Sequence, residues 1–211
     1  MNYLSVESIS KSFGDKILFQ NISFGIEQGK KVALVARNGT GKTSLIRMIM
    51  GLDHADSGRI VLRNGLKVAF LEQETVLDNF LTLADALSEN KNIADVLLGA
   101  KPADELDEEE LTVLGKIKAV AGKLSVDFYE KKTGELSGGQ KKRLALAKVL
   151  LLEADFIILD EPTNHLDIEM IEWMQGYLSS ISATLLIVTH DRYFLDVVCN
   201  EILELENGIL L

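Results

Sequence analysis

The chain has 211 residues, 47% of them hydrophobic, and 32 acidic against 22 basic side chains give it a formal net charge of -10. That length and apolar content suffice for the core of a soluble globular protein, while the acidic balance argues against this piece alone gripping a nucleic-acid backbone, which needs a cationic face. Cys199, in the apolar run "DVVCNEI", is the only cysteine, so an intrachain disulfide and a cysteine zinc site are both excluded and the thiol is expected to be buried and inert.

The N-terminus "MNYLSVESIS" lacks the cationic-then-apolar pattern of a secretory signal, and no uncharged apolar run approaches the length of a membrane span. A cytoplasmic location fits, and any membrane anchor would have to come from another polypeptide or another segment. Residues 2–35 alternate in short polar and apolar runs broken at Gly14-Asp15 and Gly29, which predicts antiparallel strands and a hairpin. "KKVALVA" is a denser strand of the kind buried on both faces, and Thr43 to Gly51 is helical, stopped by glycine. "SGRIVLRNGLKVAFLEQE" predicts two further short strands joined by an Asn64-Gly65 turn.

From Thr82 to about Thr133 the pattern is Leu/Ala-rich and helical, with the acidic run "ADELDEEE" read as a solvated face without chemistry. After Gly138 come a helix (Gly139 to Glu153), the strand "DFIILD", a helix (Ile168 to Leu178), the strand "TLLIVT", a short helix (Asp191 to Val198) and two closing strands around Asn207-Gly208. This alternation implies a mostly parallel sheet with helices on both faces.

The run "VALVARNGTGKTSLIRMI" carries the chemistry. A loop opening a helix offers free backbone N–H groups and the positive end of the helix dipole, both suited to polyphosphate. Gly39 and Gly41 let the backbone approach phosphate oxygens, Lys42 reaches the β- and γ-phosphates, and the Thr43 hydroxyl can ligate Mg²⁺. Asn38, Thr40 and Ser44 complete the loop. The pattern G-x-x-x-x-G-K-[ST] asks for glycine where Ala36 stands, at the strand exit, and the consequence turns on the φ angle there. Downstream, the apolar strand of "DFIILDEP" ends in Asp160, whose carboxylate can hold Mg²⁺ through water, followed by Glu161, which can orient or deprotonate an attacking water. "LSGGQ" opens another helix, so Ser137, Gly138 and Gly139 form a second anion-binding N-terminus.

Together, "NGTGKTS", "LSGGQKKRLALAKVLL" and "DEPTNHLD" resemble the ATP-binding cassette (ABC) superfamily over essentially the whole chain. The resemblance implies a P-loop NTPase fold, α/β, with a mostly parallel core sheet, an N-terminal antiparallel β-subdomain and a helical subdomain. In these terms residues 1–81 form the β-subdomain and phosphate-loop core, 82–153 the helical subdomain with the signature, and 154–211 the rest of the core. It also implies ATP and Mg²⁺ as the ligands, with no other small-molecule substrate. Phe13 matches the aromatic that stacks on adenine, Gln73 the lid at Mg²⁺ and water, and His190 the switch at the γ-phosphate. The resemblance places Ser137, Gly138, Gly139 and Gln140 on the ATP of a second, head-to-tail cassette, with Asp167 reporting across that interface.

"DEPTNHLD" and "HDRYFLD" resemble the ABC-F branch, whose members carry two cassettes in one chain and act on the ribosome. The expectation is a first-cassette fragment whose continuation reaches the ribosome and tRNA, with a short arm around Ala84 to Gly115. The alternative is the ATPase subunit of a membrane transporter. A DNA-repair or chromosome-structure ATPase is disfavoured because no long heptad coiled coil interrupts the cassette, and a non-catalytic ATP-binding module is disfavoured by the presence of both Glu161 and His190.

Overall fold

The computed structural model describes residues 1–37, 39–72, 77–206 and 208–210, so Asn38 and Gln73 of the expected site lie outside the described residues. The chain divides into two units: residues 1–70, 154–163 and 175–211 form the first, and residues 71–153 and 164–174 the second.

In the first unit, strands β1 (Asn2–Phe13) and β2 (Lys16–Glu27) make the expected hairpin, turning at Gly14 and Asp15. Leu4, Val6 and Ile9 of β1 and Phe19, Ile22 and Ile26 of β2 are buried, leaving the intervening polar residues outside. Strand β4 (Ser57–Leu62) pairs antiparallel with the other edge of β1, giving a three-stranded sheet in the order β2-β1-β4. A six-stranded sheet runs β5-β6-β7-β3-β8-β9, from β3 (Lys31–Ala36), β5 (Val68–Leu71), β6 (Phe156–Asp160), β7 (Thr184–Val188), β8 (Glu201–Glu206) and β9 (Ile209–Leu210). Strands β6, β7, β3 and β8 pair in parallel, whereas β9 closes antiparallel on β8. Every residue of β6 and β7 is buried, which explains why their sequences are unbroken runs and not alternations.

The Asn64-Gly65 turn exists, but its two strands do not form a hairpin. β4 joins the three-stranded sheet, while β5 lies at the edge of the other beside β6. A two-residue turn fixes a change of direction, and burial decides which sheet each strand completes.

Helix α1 (Lys42–Ile49) packs Leu45, Ile46, Met48 and Ile49 into one core with Leu4, Ile9 and Phe19 of the hairpin and Leu34, Ile158 and Leu186 of the large sheet. Full burial of one such side chain stabilises by about 1.5–3 kcal/mol, whereas an exposed ion pair such as Arg59–Glu7 is screened by solvent and contributes little. Apolar packing therefore fixes the entry angle of α1. Helix α7 (Arg192–Val198), capped by Asp191, buries Phe194, Leu195 and Val198.

The second unit holds α2 (Leu83–Leu87), α3 (Lys91–Leu97), α4 (Glu108–Lys123) and α5 (Gly138–Leu151), with α2 against α3 and α5, and α4 against α5. Helix α6 (Ile168–Ser180) begins in this unit and ends in the first. The acidic run has a structural task. The Asp107 side chain accepts from Glu110 N–H while Glu110 accepts from Asp107 N–H, and Glu108 to Glu110 sit at the positive end of the α4 dipole. Glu110 also accepts from the amides of Asn90 and Asn92, and these hydrogen bonds hold its carboxyl below the usual value.

Candidate functional site

β3 ends at Ala36 and α1 begins at Lys42, so the phosphate loop lies at the carboxyl edge of a parallel strand, where ligands of such sheets bind. Gly39 and Gly41 have φ of 77° and 98°, and a Cβ at Gly41 would come within 3.0 Å of Phe19 Cε1 and 3.1 Å of Leu18 Cβ. Glycine is required at both positions. Ala36 is not among the residues with positive φ, so alanine fits this strand exit without strain. Its carbonyl oxygen accepts from Lys42 Nζ at 2.6 Å, an interaction that any residue at position 36 can provide. The Thr40 hydroxyl donates to the Arg37 carbonyl at 2.7 Å and braces the loop. Helix α1 has Gly41 at its N-cap, no side-chain cap and no acid in its first turn, in contrast to the capped helices α2, α3, α4, α5 and α7. Its N-terminal N–H groups and dipole are therefore left for a ligand. Thr43 and Ser44 follow in that first turn, with Thr43 exposed.

Asp160, 2% exposed, ends β6, and Glu161 follows in a left-handed conformation at φ 50° with its N–H on the Val188 carbonyl at 2.7 Å. A non-glycine residue held there stores strain, and such strain concentrates at functional sites. His190 follows β7, and its Nε2 lies 2.9 Å from Lys42 Nζ and 3.5 Å from Glu161 Oε1. Ammonium only donates, so Nε2 accepts from Lys42 and cannot at once donate to Glu161. The lysine contact is the shorter of the two. Burial pushes the Lys42 ammonium below its usual pKa, opposed by the Glu161 and Asp160 carboxylates. Lys42, Glu161 and His190 are thus brought together, with Asp160 beside them.

Mg²⁺ fits this donor set. The Asp160 carboxylate and the Thr43 hydroxyl are hard oxygens, and among the described residues no cluster of three or more metal-ligating side chains exists. An ion that takes one or two protein oxygens and completes its shell with phosphate and water matches that chemistry.

Phe13, at the end of β1, is 81% exposed, so its ring is available for stacking and takes no part in the core. In the second unit Ser137 caps α5 through a reciprocal pair: its Oγ accepts from Gln140 N–H at 3.3 Å and its N–H donates to Gln140 Oε1 at 2.9 Å. Gly138 and Gly139 have no positive φ, a Cβ on Gly138 would meet nothing, and one on Gly139 would make ordinary contact with His165 at 3.5 Å. Asp167 accepts from Met170 N–H at 2.9 Å at the start of α6. Cys199 is half-buried and desolvation pushes its thiol up to about 12, so it stays protonated.

Sequence reasoning missed two features. The Ala36 carbonyl as the seat of Lys42, and the contact of Lys16 with Gly39, depend on side-chain reach that residue identity does not disclose. Among the described residues no helix is long and apolar enough to cross a membrane.

The profile of the ABC transporter family matches residues 19–164. The chain is 40% identical to the uncharacterized ABC transporter ATP-binding protein YfmR of Bacillus subtilis, over 100% of this chain and 37% of that protein. It is 33% identical to ABC transporter F family member 5 of Arabidopsis thaliana, over 98% of this chain and 34% of that one. It is 34% identical to the energy-dependent translational throttle protein EttA of Mycobacterium tuberculosis, over 97% and 40%. The chain thus spans well under half the length of these relatives. A solved ATP-binding subunit of an ABC transporter superposes with a TM-score of 0.79 at 24% identity, covering 99% of this chain and 88% of that one, a likeness of fold.

Proposed function

Because the chain belongs to the ABC transporter family and is an ATPase domain resembling the ABC-F cassettes, we propose that it binds Mg²⁺-ATP on the loop Gly39–Ser44 and hydrolyses it through Glu161 and His190. The observation that carries this reading is the convergence of Lys42, His190 and Glu161 at the carboxyl edge of the sheet. ATP phosphates displace the Ala36 carbonyl and the imidazole as partners of Lys42, since an ammonium binds an oppositely charged phosphate oxygen more strongly than an uncharged acceptor. Released from Lys42, His190 can turn to the γ-phosphate or to Glu161, donating from a ring N–H. Glu161, 13% exposed, holds an attacking water and takes its proton. Asp160 and Thr43 would hold Mg²⁺, which would supply positive charge against the phosphates. Phe13 stacks on the base. Asn38 and Gln73 retain the roles assigned from the family resemblance.

The signature helix serves a second cassette. Glycine near a helix N-terminus costs stability, and neither the backbone of Gly138 and Gly139 nor their surroundings require it. Close approach of a ligand from outside accounts for both, with the remaining first-turn N–H groups facing the partner's γ-phosphate. ATP then joins two cassettes head to tail, and hydrolysis separates them.

The process driven is translation, in the cytoplasm, through contact of the full protein with ribosome and tRNA. The relatives named as F-family members and a translational throttle support this branch over a transporter subunit. The test is a sucrose gradient of lysate containing the full gene product with Glu161→Gln. Sedimentation with ribosomes in ATP but not ADP is expected; confinement to membrane fractions would overturn the assignment.

A further inference from the structure

Lys16 is the first residue of β2 and stands directly opposite Phe13 in the hairpin register. Its Nζ donates to the carbonyl oxygen of Gly39, inside the phosphate loop, at 2.9 Å, and among the described residues no carboxylate pairs with it. The hairpin is itself anchored. Asp56 accepts from Ser12 N–H at 2.7 Å and Ser12 Oγ at 2.6 Å, Lys11 holds Asp53 at 3.0 Å, and Gln20 N–H donates to the Gly208 carbonyl at 3.1 Å. The ammonium is therefore delivered to the loop by a fixed element. It also lies 3.5 Å from where a Cβ on Gly39 would stand, so the glycine leaves it open access to the loop backbone.

We propose that Lys16 is a second cation of the nucleotide site, serving the α- and β-phosphates from outside the loop while Lys42 serves the β- and γ-phosphates from within. The inference rests on the ATP site proposed above. An exposed ammonium whose partner is a neutral carbonyl gains by exchanging it for a phosphate oxygen, and two of its three donors remain for that purpose. The register sets which phosphates it meets. A base on Phe13 puts the ribose and the first phosphates beside the residue directly across the hairpin, and the γ-phosphate farthest from it. Lys16 thereby couples the base-stacking edge to the phosphate loop, so that the element carrying Phe13 is drawn onto the nucleotide by its charge.

The test is equilibrium titration of the purified chain with Mg²⁺-ATP and Mg²⁺-ADP at several salt concentrations, for the parent, Lys16→Gln and Lys16→Arg. Lys16→Gln should weaken ATP and ADP alike by about tenfold and flatten the salt dependence, while Lys16→Arg stays within about threefold of the parent. Unchanged affinities in Lys16→Gln overturn the proposal. So does an equal loss in both variants with the salt dependence intact, which would reduce Lys16 to an anchor of the hairpin. A parent protein that binds neither nucleotide would instead bring down the ATP site on which the inference rests.

Discussion

His190 Nε2 sits 2.9 Å from Lys42 Nζ, so the imidazole after β7 and the ammonium at the head of α1 occupy each other before any phosphate arrives. On the proposed reading, phosphate has only to replace two existing contacts of Lys42, to the Ala36 carbonyl and to the imidazole, with stronger ones. This preorganisation limits the ordering cost of binding.

Removing the ammonium tests that arrangement. Lys42→Ala should weaken ATP by about ten- to hundredfold, the range for loss of a charged hydrogen bond, and stop turnover. Ala36→Gly should leave both almost unchanged, because the Lys42 contact is to a backbone carbonyl and the φ at 36 suits alanine. Its cost is confined to stability, about 0.5–1 kcal/mol from added backbone freedom. Calorimetry with ATP and thermal unfolding of the two variants separate these effects.

Gly139→Ala should separate folding from assembly. The new methyl meets His165 at ordinary contact distance and helix propensity improves, so the melting temperature should hold or rise. If the signature helix serves an opposing cassette as proposed, turnover should nevertheless fall, because a side chain in this first turn narrows the approach of that cassette's phosphate to the helix N–H groups. Turnover in the parent should rise with protein concentration, and in the variant that rise should be lost; equal concentration dependence would remove the signature helix from the reaction.

Acid should loosen the hairpin first at its anchors. Hydrogen bonds from Lys11 and the His54 backbone hold the Asp53 carboxyl below its ordinary value of 3.8, and those from the Ser12 hydroxyl and N–H do the same for Asp56. For a depressed carboxyl the stabilisation is fully present above 3.8 and is lost as pH falls through the lower folded value, because the unfolded chain takes up the proton first. Asp56→Asn should therefore be less stable than the parent at neutral pH and should lose less on acidification below pH 3.8. Urea unfolding at several pH values reads both.

Much of the fold was legible because its signals are local. Alternation gave the β1–β2 hairpin, unbroken Ile and Leu gave β6 and β7, and the run "LSGGQ" gave the start of α5. The phosphate loop and Asp160-Glu161 were legible for the same reason, each being a short run with its own chemistry. What was not legible depends on distant partners. The sheet that each of β4 and β5 completes is chosen by β1 and β6, and the left-handed Glu161 is held by the Val188 carbonyl. The acidic run before α4 looked like plain solvated charge because a capping box and the Asn90 and Asn92 amides give it its task.

The most direct test of the account is Glu161→Gln, which keeps the shape and hydrogen-bonding reach of the side chain and removes its basicity. ATP affinity and single-turnover hydrolysis should be measured on the same preparation of parent and variant. The account predicts ATP binding within about twofold of the parent and hydrolysis reduced at least about hundredfold, the lower end of the usual contribution of a general base. Hydrolysis retained within about tenfold of the parent, with ATP bound normally, would contradict it and move the proton acceptor away from Glu161.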